Sequence, residues 1–498
     1  MGASFTTEQF SESDELWLTL NGRLKNDLSW AEKGYLVAYE QKRLDTHATF
    51  ATLKQAPRPT LIPTRSLEVN EEEECAITVK ASDTVVVFDK KTAEIKEFIF
   101  KGTSLLEALS QDAGDNSAPI QPFKLQFHRA ATDNDSGGYT AQWKAAGLDS
   151  APPVPHSHSD VKWSKTTEGP AEIFRISSSF DLIPEVKDPN LPPLLEKLNK
   201  FIQDDAQSEI EFTGLQRPQR AFVHSIAAAN RLAHENKDND TIVRVWRPSL
   251  HICTTNTIAQ GISLAPERDE DSKVDKGTLE SKESEPGQKE AAKFKCAVEW
   301  SVSSCGVVRV KCQVEPDAGW PGLPRVGCRL ILPEEMQALS WLGLGPHENY
   351  PDRKESASFG AFSSLVENQL EPYIKPSENA NRSDTRWVSF IKEATNTALF
   401  ISAPQTFHFS ALPYTVEDLA KANHTHELHP RPVVCVNLDH QLMGVGGDDS
   451  WTSCVHDEYM VPSKPYSFEF VLKGVSISSP KTKLQELQLQ YANHAWKQ

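Results

Sequence analysis

Hydrophobic and polar positions alternate with a period of two over most of the chain. In "YSFEFVLKG", Phe468, Phe470 and Leu472 share one face and Ser467, Glu469 and Lys473 the other, which predicts a half-buried strand. "TALFISAPQTFHFSALPY" and "RPVVCVNLDHQLMGVGG" are similar runs bounded by proline or glycine. Two β-rich runs flank Asp89-Lys90-Lys91 in "TVVVFDKKTAEIKEFIFKG", a hairpin pattern. Short strands punctuated by 32 prolines fit a large antiparallel sandwich better than alternating strand–helix units. The helical period is confined to three places. "PPLLEKLNKFIQDD" lines up Leu194, Leu195, Leu198, Phe201 and Ile202 behind an entry of prolines. "TVEDLAKANH" has Asp418 three residues after Thr415, the spacing of a capping box. "KTKLQELQLQYANHAWKQ" predicts a C-terminal helical tail over 475–498, packed on the surface or on a partner.

Length and charge narrow the picture. At 498 residues the chain exceeds one typical domain and has enough length to bury a core without staples. A net charge of −17 argues against nucleic acid and against an anionic membrane surface. No stretch approaches the roughly 20 apolar residues of a membrane span, and the opening "MGASFTTEQFSESDE" lacks the features of a secretory signal. Eight cysteines without a C-x-x-C pair predict reduced thiols in a cytoplasmic setting rather than zinc. His424, His426 and His429 in "HTHELH" lack an identifiable further ligand at metal spacing, so ordinary loop histidines are the plainer reading and no metal site is assigned. Residues 265–295 carry both charge signs and few large apolar groups, which predicts a solvated insertion. "NEEEE" (70–74) and "PPVPHSHSD" (152–160) read as surface loops on the same grounds.

Four blocks carry a resemblance: "FHRAATDND" (127–135) with "WKAAG" (143–147), "WLGLGPHENYPDR" (341–353), "PSENANRSDTRW" (376–387) and "MGVGGDDSW" (443–451). They resemble, in order, the C-terminal domain of the large bacterial-type β-galactosidases of glycoside hydrolase family 2, the bulk of the small chain in two-subunit members. The resemblance spans about 80–473, with an unaligned insertion at about 150–295. It implies a large antiparallel β-supersandwich with a galactose mutarotase-like fold over 67–474. Residues 1–66 look like a partial immunoglobulin-like β segment, a remnant of the preceding domain. Half a sandwich cannot bury its face, so those strands complete their sheet on another chain or belong to a protein cut short upstream.

The same resemblance implies a division of labour. Retaining glycosidases place two carboxylates about 5–5.5 Å apart. In this family both are glutamates on a (β/α)8 barrel, which also carries the magnesium and most sodium ligands. A barrel needs about 250 residues of alternating strands and helices, and nothing in this chain looks like one. No catalytic residue, metal ligand or cofactor is therefore assigned here. The chain is expected to be inactive alone and to support β-galactoside (lactose-type) hydrolysis by a barrel-bearing partner within an oligomer.

Trp451 is the single candidate substrate-binding residue. Gly446 and Gly447 permit a sharp turn, Asp448 and Asp449 could hold it by accepting backbone N–H bonds, and an indole offers a flat platform to a sugar's C–H face. By residue type alone, a tryptophan beside a turn is more often packing; the resemblance assigns it to the aglycone side. Glu348, Glu378, Asp448 and Asp449 read as loop-fixing acids paired with neighbours such as Arg353, Arg382 and Arg386. Asp133, Asn134 and Asp135 read as a turn or as a pocket rim, and Trp143, Trp341, Tyr350 and Trp387 as anchors. Two other readings stand beside the subunit: a non-catalytic carbohydrate-binding protein, and an epimerase using His347 beside Glu348, which rests on fold analogy alone.

Overall fold

The computed structural model describes residues 16–44, 66–108, 120–149, 158–168, 171–247 apart from a few short gaps, 293–448 without 318 and 319, and 455–477. The predicted tail helix beyond Ile477, Trp451 and nearly all of the 265–295 insertion lie outside the described residues, while Val475 and Ser476, placed in that tail, belong to the strand Tyr466–Ser476. The insertion's final residues are an exception: Phe294 and Lys295 open the strand Phe294–Ser303, with Phe294 fully buried. Likewise His158 begins the strand His158–Glu168 instead of ending a loop.

The described chain is mainly β, and its largest sheet has twelve strands. Its hub is the 16-residue strand Thr397–Leu412. Thr397–Ser402 pair antiparallel with Tyr466–Ser476, whereas His408–Leu412 pair antiparallel with Val433–Leu442. Between them sits "APQT": Pro404 has no N–H to donate, and the strand leaves one partner before joining the next. The sheet therefore forks. One branch runs on through Val307–Pro316, Phe294–Ser303, Ala171–Leu182 and His158–Glu168; the other runs through Arg325–Pro333 to Phe123–Gln126. Val298, Val310, Phe468 and Phe470 of the first branch share one core with Leu330, Val434, Val436 and Leu438 of the second, which makes the expected sandwich. A separate five-stranded sheet covers the first branch, with Phe88 ringed by Phe174 at 6.0 Å and Trp300 at 6.1 Å.

Helices are more numerous than periodicity indicates. α1 (Asp133–Ser136) and α2 (Tyr139–Ala146) sit within the first motif block. α3 (Leu191–Gln203) buries Leu195, Leu198 and Phe201, as its stripe predicts. α4 (Arg217–Ala229) was not legible, and it packs with α3 and a three-stranded sheet into a second core. α5 (Val416–Lys421) has both halves of its capping box, Thr415 with Asp418. At the N-terminal side, Leu16–Arg23 and Leu36–Leu44 form a two-stranded sheet. It docks on the edge strand Ser358–Leu365 through Gln41, which accepts from Phe359 N–H (2.6 Å) and donates to its carbonyl (2.8 Å), and through Trp17 stacked on Phe359 at 4.6 Å.

Candidate functional site

The motif blocks, far apart in sequence, converge around the arm that leads toward Trp451. After the strand Val433–Leu442, residues Met443 to Gly446 are gripped through their backbone. Buried Arg129 donates to the carbonyls of Met443 (2.7 Å) and Gly444 (2.9 Å). Its charge is matched by Asp135 at 2.6 Å, itself buried and tied to the Thr132 cap of α1. Asn134 Nδ2 donates to Val445 O at 2.9 Å. Asp352 accepts the N–H groups of Val445 (3.0 Å) and Gly446 (2.8 Å), and Gly444 N–H reaches Tyr459 O at 2.9 Å. Gly446 and Gly447 then turn the chain at φ 73° and 145°, the freedom their lack of a Cβ supplies. Gly444 is required for a second reason: a Cβ there would stand 2.4 Å from Asp352 Oδ2.

Beyond the arm the chain leaves the described residues at Asp448 and returns at Val455. Both ends are tied. Asp448 Oδ2 meets His456 Nε2 at 2.8 Å, and Val455 N–H donates to Tyr139 Oη at 3.3 Å. α2 is held in turn by Trp143, whose Nε1 donates to Gly322 O at 3.0 Å. Trp451 itself, the residue singled out from sequence, lies outside the described residues between these two ties.

Several expected partners are different ones. The turn's backbone is held by Asp352, not by Asp448; Asp449 is outside the described residues. Glu348 does pair with Arg353, and it also accepts from Ala380 N–H at 2.9 Å and from the hydroxyls of Tyr350 and Tyr373. Glu378 pairs with Arg325 at 2.8 Å, not with Arg382 or Arg386. Arg382 bonds the carbonyls of Ala380 and Asn381 and lies over Trp341, and Arg386 lies over Phe359. Asp133–Asp135 begin a short helix, with Asp135 buried in its capping box. Trp143, Trp341, Tyr350 and Trp387 are all buried anchors. His347 points to Ser356 at the surface while Glu348 is buried, so the pair assembles no acid–base site.

Sequence reasoning missed the densest charge cluster. Arg325 is completely buried between Glu378 (2.8 Å) and Asp439 (3.1 Å). Burial pushes the Asp439 carboxyl up to about 7, against the pull of Arg325. No spacing rule links positions 325, 378 and 439. Among the described residues no group of three or more His, Cys, Asp or Glu stands at metal-holding distance. His424 is tied to Glu427 at 3.0 Å.

A family model described as beta galactosidase small chain matches residues 80–198 and 209–472. A beta-galactosidase of Priestia megaterium is 24% identical over 467 residues, covering 94% of this chain and 32% of its own length. A beta-galactosidase of Vibrio cholerae is 42% identical over 184 residues, covering 36% of this chain and 17% of its own. This chain thus spans about a third or less of these relatives' length. Galactose 1-epimerase from Lactobacillus acidophilus NCFM is a structural neighbour at TM-score 0.32 and 6% identity, covering 82% of this chain and 99% of that one.

Proposed function

Because the chain belongs to the beta-galactosidase small-chain family, we propose that it is the non-catalytic, β-rich component of an assembly that hydrolyses terminal β-galactosides such as lactose. In this reading a barrel-bearing chain supplies both catalytic carboxylates and the magnesium and sodium sites, and this chain supplies Trp451 as an aglycone-side platform. The observation that carries it is the grip on the arm: Arg129, Asn134 and Asp352 fix five backbone groups between Met443 and Gly446. A stacking residue works only where its loop is held, since ordering it on binding would offset the contact.

The N-terminal hairpin supports the partner. Trp17 and Gln41 face the edge strand, while Leu18 (44% exposed), Leu20 (58%), Trp30 (62%) and Val37 (56%) stay open to solvent. That apolar patch suits strands of a further polypeptide. The free thiols of Cys75, Cys296, Cys305, Cys312, Cys328 and Cys435 fit a reducing, cytoplasmic setting. The test is to combine the chain with a barrel-bearing β-galactosidase chain and assay nitrophenyl-galactoside hydrolysis. Trp451→Ala should raise KM and suppress transglycosylation, a loss of about 1–2 kcal/mol in transition-state binding. Unchanged KM and transglycosylation would sink the platform role; hydrolysis by the chain alone would sink the whole reading.

One observation favours a second reading, a carbohydrate-binding protein that needs no barrel. A cleft of about 240 Å³ opens where the hub strand forks, lined by Gln405, Thr406, His440 and Ser467 over a floor of Phe407 and Phe468. Calorimetric binding of lactose or galactose to the purified chain, abolished by His440→Ala, would select it.

A further inference from the structure

The small second core carries two histidines that the site described above does not use. His224 stands on α4, and His234 on Ala233–Lys237, an edge strand of the three-stranded sheet. Their Nδ1 atoms are 2.9 Å apart, with ring centroids at 4.9 Å. The far nitrogen of His224, Nε2, lies 2.7 Å from Asn236 Oδ1. Strand alternation makes this possible. His234 and Asn236 pair across to Val245 and Val243, whose buried side chains face α4, while Glu235 pairs across to Arg244 on the opposite face.

Proton placement follows from these contacts. Asn236 Oδ1 only accepts, so His224 holds its proton on Nε2 and turns its Nδ1 lone pair toward His234. A carbonyl-type oxygen fixing the outer nitrogen of an imidazole is the arrangement that orients histidine ligands at metal centres. His234 closes the contact by donating from Nδ1. It can shift that proton to its own Nε2 through solvent, since it is exposed. Two neutral Nδ1 lone pairs then stand across a 2.9 Å gap, with no net proton released.

From this geometry we propose that His224 and His234 form a two-nitrogen site for a divalent transition-metal ion of tetragonal or octahedral preference. The spacing selects the class of ion. Two ligands at right angles on bonds of about 2.0 Å stand about 2.8 Å apart, whereas a tetrahedral ion needs about 3.3 Å. The observed 2.9 Å equals the former bite, so rotating the two rings off their mutual hydrogen bond seats copper(II) or nickel(II) without spreading α4 from the strand. Water completes the coordination, since Glu235 is engaged with Arg244 on the other face.

The full chain carries competing groups, so the titration uses a background with His424, His426 and His429 changed to alanine and Cys75→Ser. Copper(II) added to that protein should bind one equivalent, with electron paramagnetic resonance hyperfine structure from two imidazole nitrogens. His234→Gln, a change at an exposed edge position, should weaken binding at least tenfold, and His224→Gln should do the same. Cobalt(II) should give the weak visible spectrum of six-coordination. Undiminished copper binding in both variants overturns the site. An intense tetrahedral cobalt spectrum that disappears with His234→Gln overturns the assigned geometry.

Discussion

At the level of single residues, the arm is controlled by charges that act through the backbone. Asp352 receives two N–H groups, and charge-assisted bonds of this kind contribute about 1.5–3 kcal/mol. Asp352→Ala should therefore expose the Val445 and Gly446 amides to rapid hydrogen exchange while strand amides stay protected; Asp352→Asn should preserve one of the two. Arg129→Met is expected to be harsher, because it strands the buried Asp135 carboxylate, a loss of about 3–5 kcal/mol readable in urea unfolding. If Arg129→Met unfolded at the wild-type midpoint, the buried pair would not be what holds the arm. None of these partners was chosen from sequence. The glycine pair announced a turn, but the acid that holds it is Asp352, more than 90 residues upstream in the chain.

At the scale of elements, local patterns were legible wherever the periodicity was long or the cap was built from neighbours. The α3 stripe and the Thr415–Asp418 box are both of this kind, and so is the alternation in Tyr466–Ser476. The forked hub strand was not, since its unpaired stretch at Pro404 reads locally as a break between two strands. The hairpin Leu16–Arg23/Leu36–Leu44 hangs on few contacts, chiefly Gln41 and Trp17 against Phe359 and Tyr39 Oη donating to Ser356 O at 2.8 Å. Replacing Trp17 and Gln41 with alanine and Tyr39 with phenylalanine should release it for limited proteolysis while the main unfolding transition keeps its urea midpoint, since the aromatic pair and these hydrogen bonds tie down only the hairpin. Loss of the whole cooperative transition in that variant would show the hairpin to be integral to the sandwich.

For the molecule as a whole, buried titratable groups limit stability from both sides of neutrality. Burial lowers the His128 imidazole from its ordinary 6.5 to about 4, so its contribution is present above pH 6.5 and is lost as pH falls through about 4. Asp439 is raised from 3.8 to about 7, so its contribution is present at low pH and is lost as pH rises through about 7. Between about pH 4 and 6.5 the two slopes have opposite sign and offset each other, and above pH 6.5 only the fall due to Asp439 remains. In urea midpoints measured from about pH 4 to pH 8, His128→Phe should leave stability falling from about pH 4 to 7, and Asp439→Asn should leave it rising from about pH 4 to 6.5. A wild-type profile that rises steadily through pH 8 would contradict the Asp439 assignment.

By itself the sequence determined what depends on neighbours in the chain: strand alternation, the α3 stripe, the α5 cap, the glycine turn after Val445, and motif blocks specific enough to place the family. Those properties are set by periods of 2 and 3.6 residues and by contacts a few positions apart. Beyond the Glu348–Arg353 pair, only the tertiary structure decided which charges meet. Arg325 lies between Glu378 and Asp439, and Asp352 beneath the arm, because sheet register and the fork bring distant loops to one place. Long-range pairing of buried charges is selected by desolvation in the folded core, a condition that no local pattern encodes.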